Sequence, residues 1–178
     1  MKMRFAACLL AGVAFVWAQD QSTPKVDQGA KMMMKSHDTA FAMAAARGGL
    51  AEVEMGKLAA EKASDPDVKA FGQQMVEDHG KANDNLKSVA EKEHMTLPSS
   101  MNAKQQATYD MLKTKSGADF DKAYVATMVK DHEKDVKAFQ REAENGKNEQ
   151  IKNFASETLP VIQGHLEKIK GIQSKMGG

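Results

Sequence analysis

The chain has a single cysteine, Cys8, which falls inside the first apolar stretch. It has four prolines, and aromatic residues make up only 6% of it. Each scarcity excludes something. With no thiol beyond residue 8, the body of the protein can form neither a disulfide nor a cysteine metal site. Few aromatics, and no run of alternating β-branched residues, leave no strand pattern to compete with helix. No apolar stretch after residue 18 is long enough to span a bilayer. There is no Ser-His-Asp order, phosphate loop or Gly-rich nucleotide signature to name a reaction.

What is present begins with a leader. Lys2 and Arg4 precede an apolar run from Phe5 to Trp17, and Val16-Trp17-Ala18 supplies small residues at the cleavage positions. This order reads as a secretory signal peptide over 1–18, cut after Ala18. Cys8 stands too early in it to be a lipoprotein site. The mature protein is therefore expected in the periplasm or another oxidising, extracytoplasmic space, with no transmembrane span. Removing Lys2 and Arg4 from the 25 basic residues leaves 23 against 24 acidic ones, a net charge of −1 with His neutral. Such a balance does not condense on nucleic acid or anionic lipid, so no nucleic-acid partner is expected. About 160 mature residues suffice for one domain with one core.

Residues 19–36 read as a flexible leader. Met32-Met33-Met34 there either offers thioether sulfur to Cu(I) or forms the greasy first turn of a helix. Beyond it, apolar residues recur at three-and-four spacing in four long segments, expected as helices over 37–63, 67–93, 118–144 and 149–172. A shorter helix is expected over 102–114. Ser64-Asp65-Pro66, Ser116-Gly117 and Asn145-Gly146 punctuate them. Gly48-Gly49 inside the first helix suggests close approach of a neighbouring backbone, and Pro160 suggests a kink in the last. The chain is thus an all-α, antiparallel four-helix bundle over 37–175, with one short extra helix between the second and third long ones.

A heptapeptide repeats within it. Met75-Val76-Glu77-Asp78-His79-Gly80-Lys81 returns 53 residues later as Met128-Val129-Lys130-Asp131-His132-Glu133-Lys134, with Phe71 and Tyr124 four positions before each Met. Together with Ala45 through Ala59, Val68-Lys69-Ala70-Phe71, Phe120-Asp121-Lys122-Ala123-Tyr124, and Phe154-Ala155 with Thr158-Leu159-Pro160 and His165, these motifs resemble the bacterial domain-of-unknown-function family 4142. The resemblance covers nearly all of the mature chain. It implies an exported bacterial protein with a ferritin-like four-helix bundle; some members carry the loose label of an outer-membrane protein. The family has no settled activity.

Helical bundles build metal sites from Glu and His on facing helices. Each long helix here offers one candidate on its apolar stripe: Glu52, His79, His132 and His165. At about 1.5 Å per residue, Glu52 and His79 stand roughly 20 Å from the turn at Asp65, and His132 about 21 Å from Gly146. His165 comes out about one turn too far and fits poorly. Asp78 and Asp131 point about 100° from their histidines, which puts them on a flank with lysines. His37 and His94 read as solvated helix-end residues. Di-iron bundles use Glu-x-x-His on two helices, but Val76, Val129 and Ile162 stand three before the inward histidines. Only Glu91-x-x-His94 matches, so a ferroxidase-type centre is not expected. Two readings remain open. One is a bundle binding a divalent transition metal (Fe, Zn, Mn or Cu), with binding weakened below about pH 6 as histidines protonate. The other is a non-catalytic envelope or stress-related scaffold, with an envelope protein partner or as a homo-oligomer, whose Glu/His core is hydrogen-bonded without metal.

Overall fold

The computed structural model describes residues 28–177, with side chains from His37 onward. The signal-peptide expectation and residues 19–27 lie outside the described residues. Among the described residues five helices follow one another: α1 Gln28–Lys62, α2 Pro66–Lys92, α3 Ala103–Lys113, α4 Gly117–Asn145 and α5 Glu149–Met176. α1 starts well before His37, so Met32-Met33-Met34 belongs to its helical backbone; the side chains of the three lie outside the described residues.

The boundaries follow from capping chemistry. Asp65 accepts hydrogen bonds from the backbone N–H groups of Asp67 and Val68, and Pro66 supplies the pre-set first turn of α2. Asn102 and Gln105 form a reciprocal capping box at α3. Asn148 caps α5 through the N–H of Ile151. Gly117 opens α4 at φ +56°, a conformation costly for any residue with a Cβ.

α1 packs on α2 and α4 on α5, forming two antiparallel hairpins. The hairpins are joined by a crossover through α3, which returns the chain along the bundle, so that α2 and α4 run parallel across the diagonal. This ferritin-like arrangement with one long crossover is a recognised bundle topology. Each hairpin turn is held by a buried aspartate of the other hairpin. Asp121 of α4 accepts the backbone N–H groups of Ser64 and Asp65 and the Ser64 hydroxyl. Asp38 of α1 accepts those of Lys147 and Asn148. The close backbone approach is at Gly56 and Gly72 rather than at Gly48-Gly49. A Cβ on Gly56 would lie 2.7 Å from the Gly72 carbonyl oxygen, whereas one on Gly48 would meet nothing within 4 Å.

Two apolar clusters fill the interior. One, toward the α1–α2 turn, gathers Met55, Phe71, Met75, Phe120, Tyr124, Met128 and Ile169. The other, toward the α4–α5 turn, gathers Phe41, Leu86, Phe139, Phe154 and Ile162. On each long helix the two clusters are separated by one buried polar residue: Glu52, His79, His132 or His165.

Candidate metal centre

These four side chains meet in one layer. Nδ1 of His79 lies 3.0 Å from Oε2 of Glu52, and Nδ1 of His132 lies 3.6 Å from Oε1 of the same carboxyl. Nδ1 of His132 is also 3.0 Å from the Met128 carbonyl oxygen, one turn back on α4. On α5, Nε2 of His165 donates to Oδ2 of Asp78 at 2.9 Å. The three imidazoles form a near-equilateral triangle, with centroids 5.7, 5.3 and 5.5 Å apart. Phe71 sits against His132 and His165 with its ring edge-on.

Each histidine thus spends one ring nitrogen on a protein acceptor. The other nitrogen (Nε2 of His79, Nε2 of His132, Nδ1 of His165) is buried with no hydrogen-bond partner. One nitrogen from each ring lies within 4.8 Å of the other two. Buried polar atoms are rarely left unpaired, and each costs about 1–3 kcal/mol. Three in one place is a concentrated cost.

Burial also sets the charges. It pushes His79 down to about 3 and His132 to about 4, each further lowered by neighbouring imidazoles, and lowers His165 as well. All three rings are therefore neutral at physiological pH, the form that ligates. Burial, then Asp135, holds the Glu52 carboxyl well above its usual range. Asp135 is itself pushed up to about 7 by burial and by Asp131. The two acids are near neighbours in a setting that favours a shared proton. Asp78 is nudged up by partial burial, but the hydrogen bonds from His165 and Gln74 win and lower it. The Tyr124 hydroxyl is buried and unpartnered in the same region, and burial raises its pKa.

Three expectations need correction, and one residue was missed. His165 joins the layer instead of overshooting it. Side chains lean toward the N-terminus of their own helix; in the antiparallel α4–α5 pair His132 leans away from the turn and His165 toward it, which closes the apparent gap. Asp78 is not on a lysine flank, because that side of α2 faces α5. Nor is His37 simply solvated: it is exposed but lies 3.5 Å from the buried Glu142. Asp135 went unread, although it stands three residues after His132, on the same helical face. Other expectations match the geometry. His94 is exposed at the end of α2, and Asp131 pairs with Lys134.

A cleft of about 220 Å³ leads inward beside α3. It is lined by Lys104, Gln105 and Thr108 on one side and by Asp131, Asp135 and Glu52 on the other.

Comparison with known families fits this architecture. The model for a domain of unknown function, DUF4142, matches residues 23–172. The chain belongs to the DUF4142 family. Solved structures from outside the family share the fold. A presumed secreted DUF305 protein of Streptomyces coelicolor is similar at 14% identity and TM-score 0.68, over 80% of this chain and 93% of that one. A DUF305 fragment from Deinococcus radiodurans is similar at 9% identity and TM-score 0.68, over 78% and 96%. At such identities the likeness concerns the fold alone. No curated protein matches the chain. Among the described residues no helix is long and apolar enough to cross a membrane.

Proposed function

We propose that this DUF4142 protein is an exported metal-binding bundle that holds one divalent transition-metal ion through His79, His132 and His165. The observation that carries the reading is a set of three buried, neutral imidazoles, each with one unpartnered nitrogen and each offering a nitrogen within 4.8 Å of the other two. A single ion would satisfy all three at once. Glu52, Asp78 and the Met128 carbonyl fix the rings from behind, as outer partners of histidine ligands commonly do. An imidazole-rich donor set suits Zn(II), Cu(II) or Fe(II) better than Mn(II). The cleft beside α3 reaches Glu52 from the surface, with Lys104 and Lys134 set among the carboxyl groups of Asp131 and Asp135. Without the paired Glu-x-x-His motifs of di-iron bundles, storage, sensing or modest redox chemistry at one ion is the role supported. The signal-like leader, and the presumed secretion of a structural relative, support an extracytoplasmic location.

Elemental analysis and zinc titration of untagged mature protein provide the test. Wild type should hold zinc, and His79→Ala, His132→Ala and His165→Ala should each remove one equivalent; His94→Ala should remove none. The raised Glu52–Asp135 pair favours one rival, a metal-free core held by a shared proton. Absence of bound metal, with equal melting temperatures in chelator and in added metal, would leave that scaffold reading alone.

A further inference from the structure

We propose that His37, Asp38 and Glu142 form a second divalent-cation site at the opposite end of the bundle from the α1–α2 turn. One donor atom from each lies within 4.8 Å of the other two. Nδ1 of His37 is 3.5 Å from Oε2 of Glu142 and 3.9 Å from Oδ1 of Asp38. Those separations are too long for hydrogen bonds, so the imidazole faces the two carboxyl groups without bonding to either, while Glu142 and Asp38 stand close enough to share a proton when no cation is bound.

The independent sign of a ligand is Glu142. Its side chain is 0% exposed, and neither carboxyl oxygen has a hydrogen-bond partner. A buried carboxylate next to a second one needs a proton or a cation. Asp38 differs: the backbone N–H groups of Lys147 and Asn148 hold it through contacts of 2.6–3.3 Å, yet two oxygens with two lone pairs each retain capacity for a metal. Gly146 makes the room. A Cβ there would stand 2.7 Å from Oε1 of Glu142. His37, at 56% side-chain exposure, is the door to solvent.

The site is separate from the histidine triangle. Glu142 lies ten residues beyond His132, about 15 Å along α4, with the Phe41–Phe139–Phe154 cluster between. Its chemistry also differs. Two carboxyl groups and one imidazole suit Mn(II), Zn(II) or Fe(II), ions that accept mixed oxygen and nitrogen donors.

Isothermal titration of EDTA-stripped, untagged mature protein with Zn(II) at pH 7.5 decides the matter. Wild type should show two binding events. Glu142→Gln should abolish one of them, and His37→Ala should weaken the same event by at least about tenfold, since even outer-shell losses cost about 10–100-fold. His37 is exposed, so its replacement leaves the fold intact, and circular dichroism checks both variants. His165→Ala should remove the other event only. A single event lost in Glu142→Gln but kept in His165→Ala would sustain this site while removing the triangle reading. An isotherm unchanged in either Glu142→Gln or His37→Ala overturns the proposal.

Discussion

Nε2 of His165 donates a hydrogen bond to Oδ2 of Asp78 across the α2–α5 interface, at 2.9 Å. This bond fixes which face of the imidazole is free. Because the carboxylate can only accept, the proton sits on Nε2 and the lone pair on Nδ1, which is buried and has no hydrogen-bond partner. Asp78→Ala should therefore let the ring rotate and lower zinc affinity by about 10–100-fold, with the helical content unchanged. Competition against a chelating dye would measure this; equal affinities would show that Asp78 has no orienting role.

Acid should affect metal binding later than expected for ordinary histidines. His79 and His132 stay neutral down to about 3 and 4 in the folded protein. Zinc binding should accordingly survive from pH 7 to about pH 5, where a site of exposed histidines would already have failed below about pH 6. Loss of zinc at pH 6 in protein that remains folded would contradict the buried, neutral state of the rings.

The same groups shape the stability of the metal-free protein. The unfolded chain protonates its histidines near 6.5, the native state only near 3 to 4. Stability is thus fully present above 6.5 and drains as pH falls, by up to about 1.4 kcal/mol per pH unit for each ring. Asp135 works the other way: the native state keeps a proton up to about 7 that the unfolded chain releases near 3.8. Its contribution favours the fold at low pH and is lost as pH rises through 7. Asp135→Asn removes that compensation, so urea midpoints should fall more steeply between pH 6.5 and 4 than in wild type.

Burial and the nearby Asp38 push Glu142 up to about 7. The cost of ionising it in the folded state is absent below about 4.5, grows as pH rises to 7, and is constant above. In chelator, Glu142→Gln should stabilise the protein at pH 8 by something on the order of 1–3 kcal/mol and by only about a quarter as much at pH 5. Thermal melts at the two pH values would show it; an equal shift at both would mean that Glu142 is not titrating abnormally.

The fold was legible because its signals are local and repeated. Three-and-four apolar spacing, the breaks at Ser64-Asp65-Pro66 and Asn145-Gly146, and the two copies of the Met–Val–x–Asp–His motif required no knowledge of neighbours. So was the convergence of Glu52, His79 and His132, through matched distances from their turns. What stayed hidden depends on contacts between helices. Asp78 could not be assigned to an interface without knowing which side of α2 meets α5. Asp135 was passed over because the di-iron pattern directs attention upstream of each histidine, not downstream. Asp38, Asp121 and Glu142 sit among charged residues that look solvated. The partners of Asp38 and Asp121 are mostly backbone N–H groups of remote turns, which leave no periodic trace.

Two glycines offer a paired test of packing. Gly56→Ala would push a methyl group against the Gly72 carbonyl oxygen and should destabilise by about 1–3 kcal/mol. Gly48→Ala meets nothing within 4 Å and should stabilise by up to about 1 kcal/mol through helix propensity. Chemical denaturation of both variants would separate backbone contact from conformational freedom.

The crossover through α3 gives the chain a modular character. Each hairpin carries half of the polar layer, Glu52 with His79 on one and His132 with His165 on the other, and each supplies the aspartate that clasps its counterpart's turn. A cut between residues 93 and 102 would therefore yield two complementary pieces, neither of which can finish its own bend. Their reassembly would be a mutual templating reaction, and an ion shared among the three imidazoles would act as a rivet across the seam.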